Sequence, residues 1–214
     1  MHSKILTAET QIDNEVGFKY HSVYLNIENS TLHSHDYYEI FLVVSNNLNH
    51  YINGVTQNLS NGTLTFIRKS DEHYFFGENI NAISFINFAF NEEIANDLFK
   101  YLGSSFCSKQ LLAAKMPPSI HLTERNIDWV WRQLENLNAI DINNKQQKIY
   151  LSRILLFNIF TKFFSGYTDT YITDNAANIP EWMVELNYNM HKFENFSQHS
   201  DHMVELSGRC RAYL

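Results

Sequence analysis

The first ninety residues alternate short apolar runs with polar turns, which is the pattern of a β-rich region. Apolar side chains recur between Val16 and Asn26, fill positions 40–44, and return at 63–67 and 82–90. A run that is apolar at every position, such as 40–44, is typical of a strand buried on both faces. Short strands separated by turn signals predict a barrel or a sandwich.

The pair Asn53 and Gly54 marks the clearest local structure in this region. It joins two strand-like runs, 48–52 and 55–59. Asn-Gly supplies the positive φ angles of a type I′ turn, so the sequence predicts a β-hairpin here. Residues 1–15 are polar, and we expect them to lie loosely on the surface.

The period of the apolar pattern becomes helical after Phe90. Asn91 is a candidate cap for a helix from Glu92 to Phe99, with acidic residues in the first turn, where the helix dipole favours them. Thr123 is a candidate cap for the next helix. Its apolar stripe falls at three- and four-residue intervals and consists of Ile127, Val130, Trp131, Leu134 and Leu137.

A longer helix is predicted from about Lys145 to Ser165, and it is apolar on more than one face. Such a helix must bury two faces. One face can cover the barrel, and the other needs either the preceding helix or a second copy of the chain. We expect a homodimer.

The last fifty residues have the outline of a linker followed by a helix-turn-helix. Periodicity is lost at 167–179, Pro180 suits the first turn of a helix, and a second short helix is predicted at about 198–206. Ser207 and Gly208 break it, and a further helix begins at Arg209. In a helix-turn-helix that last helix enters the DNA major groove.

Composition and charge narrow the class of protein. The chain has 214 residues, with 16 Phe and 12 Tyr, which is enough for a folded domain with a sizeable core. A net charge of −7 without any basic block argues against binding nucleic acid by electrostatics alone. The sequence shows no membrane span or signal pattern, and Cys107 and Cys210 lack metal-type spacing, so we expect a reduced cytoplasmic setting.

The candidate chemistry lies at the start of the apolar strand and in a turn about forty residues later. In one extended strand, His33, His35, Tyr37 and Glu39 would project from the same side. His73 follows the strand 63–67 and a polar turn. Three imidazoles and a carboxylate suit Zn, Ni, Fe or Mn, and they equally suit a hydrogen-bonded polar cluster without metal.

These residues resemble the two-part signature of the cupins, which are small β-barrels with a double-stranded β-helix fold. The match covers His33, His35, Glu39, Gly62, His73 and, loosely, Gly77. The chain departs from the pattern at Ile27 and Asn46, where cupins have Gly, and at Arg68 and Ser70, where they have Pro and Gly. The resemblance implies that the metal ligands, if metal is bound, are His33, His35, Glu39 and His73.

The order of barrel, helices, linker and helix-turn-helix is similar to that of the AraC family of bacterial transcription regulators. The stretches 37–43, 62–68 and 203–211 look most like its chitobiose-operon-regulator branch. The resemblance implies an α+β chain with an effector-binding barrel at 1–92, a helical dimerisation region at 93–166, a linker at 167–179 and the truncated start of a DNA-binding domain at 180–214.

The resemblance also implies roles for individual residues. The effector, a sugar or amino sugar, would lie among His33, His35, Tyr37, Glu39, Arg68 and His73. Arg209, Arg211 and Tyr213 belong to the truncated DNA-binding helix, so we expect specific operator binding only from a full-length domain. The other histidines share no spacing and are predicted to lie on the surface: His2, His21, His50, His121, His191, His199 and His202.

Three functions follow. The first is the ligand-sensing domain of a non-enzymatic, AraC-type regulator of carbohydrate-utilisation genes, with no membrane partner. The second is a metal-dependent cupin enzyme, either an oxygenase or a sugar isomerase. The third is a truncated product that dimerises without contacting DNA. The helix-turn-helix remnant favours the first, because an enzyme does not need it.

Overall fold

A computed structural model of the protein describes residues 4–25, 30–69, 71–76, 83–141, 143–167, 186 and 200–208. The chain divides into two compact units, Met1–Asp169 and Thr170–Leu214. The predicted domain boundaries at 92, 166 and 179 stay predictions.

The described part of the first unit contains two five-stranded sheets. The first sheet has the strand order β1-β3-β8-β5-β6, and the second has the order β10-β7-β4-β9-β2. The strands are β1 Lys4–Leu6, β2 Phe18–Leu25, β3 His33–His35, β4 Tyr38–Ser45, β5 Leu48–Ile52, β6 Val55–Leu59, β7 Thr63–Ile67, β8 His73–Phe76, β9 Ile83–Phe90 and β10 Ser119–His121.

Alternate side chains of the two sheets meet in a shared interior. Apolar residues from both sheets form one buried cluster, consisting of Phe41, Val43, Ile67 and Phe85 from the second sheet and Leu48, Ile52, Leu59 and Phe75 from the first. Because strand side chains alternate faces, the neighbouring residues of β4, such as Ile40 and Leu42, point to the opposite side of the second sheet. The sheets therefore enclose a core, as in a barrel.

Helices cover the outer face of the second sheet. They are α2 Glu92–Leu102, α3 Ser108–Ala113, α4 Glu124–Asn138 and α5 Lys145–Ile159, which continues as a π-helical turn at Phe160–Phe164. A further short helix, α1 Ala8–Gln11, follows β1, and its Ala8 packs against a separate small cluster of Ile12, Tyr37 and Ala89. Phe66 and Phe90 of the sheet contact Phe160 of this turn with ring centroids 5.1 and 6.5 Å apart. Each such buried phenylalanine contributes about 1.5–3 kcal/mol, so aromatic packing fixes the helices on the sheet.

The predicted α+β class, a cupin-like barrel followed by helices, is confirmed. The hairpin of β5 and β6 is also confirmed, with φ angles of 48° at Asn53 and 86° at Gly54. The side chain of Asn91 accepts a hydrogen bond from Ile94 N at 3.0 Å, as expected of a helix cap. Thr123 precedes α4 as predicted, but its side chain makes no capping hydrogen bond.

The expectation that residues 1–15 lie loosely on the surface is wrong for residues 4–15, the part of this segment that the structure describes. Strand β1 pairs in parallel with β3, so Lys4 lies opposite His33 and Leu6 opposite His35. The Asp36 carboxylate accepts a hydrogen bond from Ala8 N at 2.7 Å, and Ile12 and Val16 are buried. A three-residue strand carries too little pattern to be found in the sequence, because its stability comes from pairing with a distant strand.

The expectation that residues 33–44 form one strand is also wrong. The run divides into β3, in the first sheet, and β4, in the second, with Asp36 and Tyr37 between them. Strand β10 was missed as well; it pairs antiparallel with β7 at the edge of the second sheet.

Gly62 is required by its position between β6 and β7. It has a φ of +90°, and a Cβ atom there would lie 2.9 Å from the carbonyl oxygen of Leu122. The Gly62 amide donates to Val43 O and its carbonyl accepts from Leu122 N, both at 2.8 Å. The match to the cupin signature at this glycine therefore has a steric reason.

In the second unit the structure describes a helix at Ser200–Ser207, here α6, and the single helical residue Leu186. This helix agrees with the one predicted at about 198–206, and it is followed by Gly208 with a φ of +61°. The predicted linker and the helix after Pro180 lie outside the described residues, apart from Leu186. Within the described ranges, none of the helices has the length and apolar character needed to cross a bilayer.

Candidate functional site

The site begins where the chain passes from the first sheet to the second. His35 ends β3 and Glu39 lies in β4, so the two residues belong to different sheets that close on each other at this point. The His35 ring donates from Nδ1 to the Tyr37 carbonyl oxygen at 2.7 Å, which fixes its orientation across the crossing. His35 Nε2 then lies 3.6 Å from Glu39 Oε2.

Strand register brings His73 to the same place. His33 and His73 are directly opposed in the antiparallel pair of β3 and β8. Their ring centroids lie 4.4 Å apart, and the His35 and His73 centroids lie 5.4 Å apart. The structure therefore brings together residues that are about forty positions apart in the sequence.

His35, Glu39 and His73 form what we call the three-donor site. One ligand atom of each lies within 4.8 Å of the others. The three residues are 2%, 6% and 0% exposed. Two imidazoles and one carboxylate, with positions left open, are the ligand set of many divalent metal sites.

Two nitrogen atoms of this site are buried and have no hydrogen-bond partner among the described residues. They are His35 Nε2 and His73 Nε2. Because His35 Nδ1 donates to a carbonyl, Nε2 is the ring nitrogen that is available to a ligand, and it faces a carboxylate. A metal ion bound between them, or hydroxyl groups of a ligand, would satisfy both His35 Nε2 and the Glu39 carboxylate. The residues present therefore fit a divalent metal, and they equally fit a hydrogen-bonding ligand.

Tyr37 lies beside the three-donor site and shapes its electrostatics. Its ring stacks on His35 with centroids 4.4 Å apart, and its side chain hydrogen-bonds to Glu39. Burial, followed by the negative charge of Glu39, raises the pKa of Tyr37 well above its usual range. The hydroxyl therefore stays protonated and donates to the carboxylate.

His50 is the residue that the sequence analysis missed. It was expected on the surface, but it is 0% exposed and lies in the barrel interior. Its Nε2 is 3.2 Å from His73 Nδ1, and its Nδ1 is 3.2 Å from Gln57 Nε2. The alternation of Leu48, His50 and Ile52 in the hairpin was a signal for this placement, because both apolar neighbours on that face point inward.

His33 is close to the site but outside the group of three donors. Its Nδ1 lies 2.8 Å from the Thr31 carbonyl oxygen, and its ring is partly buried. Its assignment as a metal ligand stays a prediction. We use the name histidine cluster below for His33, His35, His50 and His73 together with Glu39.

Arg68 has a set of partners that ties two parts of the chain together. Its Nε and Nη2 donate to the two carboxylate oxygens of Asp71, each at 2.9 Å. Its Nη1 donates to the carbonyl oxygen of Ala114, just after α3. The guanidinium thus anchors the turn between β7 and β8 to α3, and its contact with an effector stays a prediction. Gly77, Arg209, Arg211 and Tyr213 lie outside the described residues.

The two sheets, their shared interior and the buried residues His35, Glu39 and His73 define a cupin-like barrel with a helical extension. No protein family model and no curated protein matches the sequence. Many solved structures do match it.

Prominent among them is ToxT of Vibrio cholerae, an AraC-family regulator with an N-terminal cupin-like ligand domain. Apo ToxT K231A is 13% identical, and the match covers 92% of this chain and 73% of ToxT with a TM-score of 0.56. ToxT with a bound unsaturated fatty acid is 12% identical, covering 91% and 74%, with a TM-score of 0.49. An RmlC-like cupin from Shewanella frigidimarina is 14% identical, covering 36% and 68%, with a TM-score of 0.31. At these identities, the likeness to ToxT establishes the fold.

Proposed function

We propose that this chain is the ligand-sensing part of an AraC-type transcription regulator, and that the histidine cluster holds its effector. The observation that carries the proposal is the pair of buried imidazole nitrogens, His35 Nε2 and His73 Nε2, that have no hydrogen-bond partner among the residues that the structure describes. Each unsatisfied buried polar atom costs about 1–3 kcal/mol, which a bound ligand recovers. The fold shared with ToxT extends beyond the barrel to the helices, which supports a regulator over an isolated cupin.

The effector class we propose is a sugar or an amino sugar, which is also what the resemblance to the chitobiose-operon-regulator branch implies. Hydroxyl groups can donate to Glu39 and to the lone pair of His35, and a sugar ring can stack on an aromatic side chain such as Tyr37. A polar, buried donor and acceptor set suits such a ligand better than the acyl chain bound by ToxT. In the full-length regulator, occupancy would shift the population of arrangements of the DNA-binding domains in the cytoplasm.

Thermal unfolding of the purified chain with glucosamine, N-acetylglucosamine and chito-oligosaccharides tests this proposal, with an unsaturated fatty acid as an apolar comparison. A ligand at about 100 times its Kd stabilises the native state by about 2.7 kcal/mol, so the melting temperature should rise. Glu39→Gln should abolish the shift, and the exposed control His121→Gln should keep it. If one of these ligands shifts Glu39→Gln as much as the wild type, the effector does not lie in the cluster.

A second candidate, a metal-dependent cupin enzyme, is favoured by the mutual distances within the three-donor site. His35, Glu39 and His73 would hold the metal, which when bound would polarise a substrate oxygen or bind dioxygen. Metal analysis of the purified chain, combined with turnover assays for sugar isomerisation and oxygen uptake, separates the two. Stoichiometric metal with turnover supports the enzyme, and stabilisation by a sugar without turnover supports the sensor.

We further propose that the chain forms a homodimer through a groove between α2 and α5. The groove has a volume of about 410 Å³, and Asp97 and Arg153 lie along it with 3.6 Å between their charged atoms. Tyr101, Tyr150 and Ile154 are 80%, 57% and 55% exposed on these helices. A second copy is the occupant we favour, because a two-fold arrangement lets each acid meet the partner's base and covers the same apolar side chains on both copies.

Analytical ultracentrifugation at micromolar concentration tests the homodimer. The wild type should sediment at twice the chain mass, and Ile154→Lys should sediment as a monomer, because it places a charge in the buried centre of the interface. The matched control is Leu112→Lys, which changes another exposed aliphatic residue, on α3 and outside the groove. A monomeric wild type, or a dimeric Ile154→Lys variant, would contradict this interface.

A further inference from the structure

A line of hydrogen bonds runs along the first sheet to the three-donor site. Gln57 lies opposite His50 in the pair of β5 and β6, and His50 lies diagonally from His73 in the pair of β5 and β8. Gln57 Nε2 is 3.2 Å from His50 Nδ1, and His50 Nε2 is 3.2 Å from His73 Nδ1. The remaining nitrogen of His73, Nε2, is buried and has no hydrogen-bond partner in the described ranges.

The contacts themselves show how each ring uses its two nitrogens. The Gln57 amide nitrogen can only donate, so His50 Nδ1 accepts. The contact between His50 Nε2 and His73 Nδ1 needs a proton on one of these atoms and a lone pair on the other. A neutral imidazole carries one proton, so each ring donates from one nitrogen and accepts at the other. Whether the group at one end of the line donates or accepts therefore determines which nitrogen of His73 carries the proton at the other end.

Gln57 makes that choice, because its amide has a nitrogen that only donates and an oxygen that only accepts. In the structure the nitrogen faces His50. His50 Nδ1 then accepts, His50 Nε2 donates to His73 Nδ1, and the proton of His73 lies on Nε2, where it blocks metal ligation. If the amide turns by half a revolution, its oxygen accepts from His50 Nδ1. His73 then carries its proton on Nδ1, and the Nε2 lone pair is free for a metal.

We propose that Gln57 and His50 are positioning residues that set the tautomer of His73 and thereby open or close the three-donor site to a divalent cation. This inference rests on the metal-binding form of the proposed function. In the closed form His73 Nε2 carries a proton and can donate it to a ligand oxygen. In the open form His73 Nε2 has a free lone pair and can bind a metal ion. The amide of Gln57 thus selects between the two occupants that the site fits.

The proton count is balanced in the two arrangements. Each imidazole carries one proton before and after, located on Nε2 of both rings in one arrangement and on Nδ1 of both rings in the other. In passing from the first arrangement to the second, the proton on His50 Nε2 moves to His73 Nδ1 along their hydrogen bond, His73 Nε2 releases its proton to water, His50 Nδ1 takes one proton from water, and the Gln57 amide rotates. Cation binding therefore requires no net loss of a proton from His50 or His73.

The variant Gln57→Glu tests the relay in the full chain without any ligand. A carboxylate is nearly the same shape as the amide, and it only accepts, so it should hold the His73 proton on Nδ1. Nitrogen NMR of the histidine rings, with the His73 signals identified by their loss in His73→Gln, distinguishes the tautomers. We expect Nε2–H in the wild type and Nδ1–H in Gln57→Glu. The same His73 tautomer in both proteins would overturn the relay.

Zn²⁺ titration provides the second measurement. Groups that orient a metal ligand typically change metal affinity by about 10- to 100-fold, so Gln57→Glu should bind Zn²⁺ about tenfold more tightly than the wild type. Asn58→Asp adds the same charge at the next, solvent-exposed position of β6 and serves as the control for simple electrostatics. In a His50→Leu background, which interrupts the line, the effect of Gln57→Glu should disappear.

The outcomes separate the relay from the proposed function. Equal tightening of Zn²⁺ binding by Gln57→Glu with and without His50 would overturn the relay and leave a metal site in place. A tautomer change on Gln57→Glu in a protein that does not bind Zn²⁺ would support the relay and count against the metal-dependent enzyme only. The tautomer measurement on wild type and Gln57→Glu decides the relay even if His50→Leu fails to fold.

Discussion

Single residues at the site differ in how many of their polar atoms the protein itself satisfies. Arg68 has its guanidinium bound to Asp71 and to the carbonyls around α3, whereas His35 and His73 each keep one buried nitrogen that forms no hydrogen bond within the described part of the chain. The first situation is that of a structural anchor, and the second is that of a binding site. Arg68 and His73 lie close together in the sequence, but a substitution that breaks the Arg68 contacts should affect stability, whereas one at His73 should affect binding.

Asp71→Asn should destabilise the protein strongly. It removes the charge that pairs with Arg68, and both side chains are less than 10% exposed. Leaving a buried charge unpaired costs about 3–5 kcal/mol. The control is Asp128→Asn, which breaks the ion pair between Asp128 and Arg132. These two side chains are 60% and 73% exposed, and exposed pairs contribute about 0–1 kcal/mol. Urea unfolding measures both, and equal losses would contradict the anchoring role of Arg68.

Gly62→Ala should be more harmful than Gly54→Ala, although both glycines have φ near +90°. Alanine in this backbone region costs about 1–2 kcal/mol. A Cβ atom at Gly54 would have no described atom within 4 Å, whereas one at Gly62 meets the Leu122 carbonyl oxygen at 2.9 Å. We expect a loss of about 3 kcal/mol at Gly62 because the added clash moves backbone. Similar unfolding free energies for the two variants would show that the carbonyl gives way freely.

At the scale of elements, the site depends on where strands end and not on the strands themselves. Strand β3 stops at His35 and β4 begins at Tyr38, so a two-residue crossing carries the chain from one sheet to the other. The carboxylate of Glu39 and the imidazole of His35 thereby approach from opposite walls of the barrel. The pairing of β8 with both β3 and β5 then places His73 between two other imidazoles.

The N-terminal caps of two helices offer a matched prediction at this scale. The Asn91 side chain accepts from Ile94 N at the start of α2, whereas Thr123 makes no such bond at the start of α4. Replacing a functioning cap by alanine costs about 1 kcal/mol. Asn91→Ala should therefore lower the free energy of unfolding by about this amount, and Thr123→Ala by clearly less. The reverse order in chemical denaturation would contradict the assignment.

The sequence predicts elements well where the deciding interaction is local. The turn at Asn53 and Gly54 and the cap at Asn91 follow from backbone preferences and a single side chain. Strands β1 and β10 could not be predicted, because three residues show no period and each strand is stabilised by a partner far along the chain.

The sequence predicts only part of the candidate site, because some of its residues are placed by long-range contacts. The spacing of His33, His35, Glu39 and His73 is a family signature, and the structure brings these residues together. His50 could not be found from the spacing between histidines. The useful signal was its place in the hairpin, where it alternates with the inward-facing residues Leu48 and Ile52. The division of the strand after His35 depends on sheet closure, which no local pattern records.

At the scale of the whole molecule, the buried imidazoles should make stability depend on pH. The folded-state pKa values of His50 and His73 lie below the usual value of 6.5, so below that pH the unfolded chain binds protons that the folded chain does not. Stability therefore falls as the pH decreases from 6.5 towards 3. Between pH 7.5 and 5.5 each of the two rings should remove about 1.4 kcal/mol from the free energy of unfolding.

Urea unfolding at pH 7.5 and 5.5 measures this dependence, in a range where carboxylates are largely ionised in both states. His50→Leu should reduce the difference between the two pH values by about 1.4 kcal/mol, which is the share of one ring. The exposed His121→Gln should leave the difference unchanged. A pH dependence that is the same in all three proteins would show that His50 becomes protonated without unfolding.

The parallel strand at Lys4–Leu6 has a practical consequence for anyone who produces this protein. It is the edge strand of the first sheet, which carries His33, His35, His50 and His73. Its backbone runs beside His33 at the usual interstrand distance of about 5 Å. A polyhistidine tag fused just ahead of it would bring chelating groups to the edge of the candidate metal site and could take up the very ion under study. Purification through a tag attached elsewhere, or through one that is cleaved away, keeps ion-binding measurements interpretable.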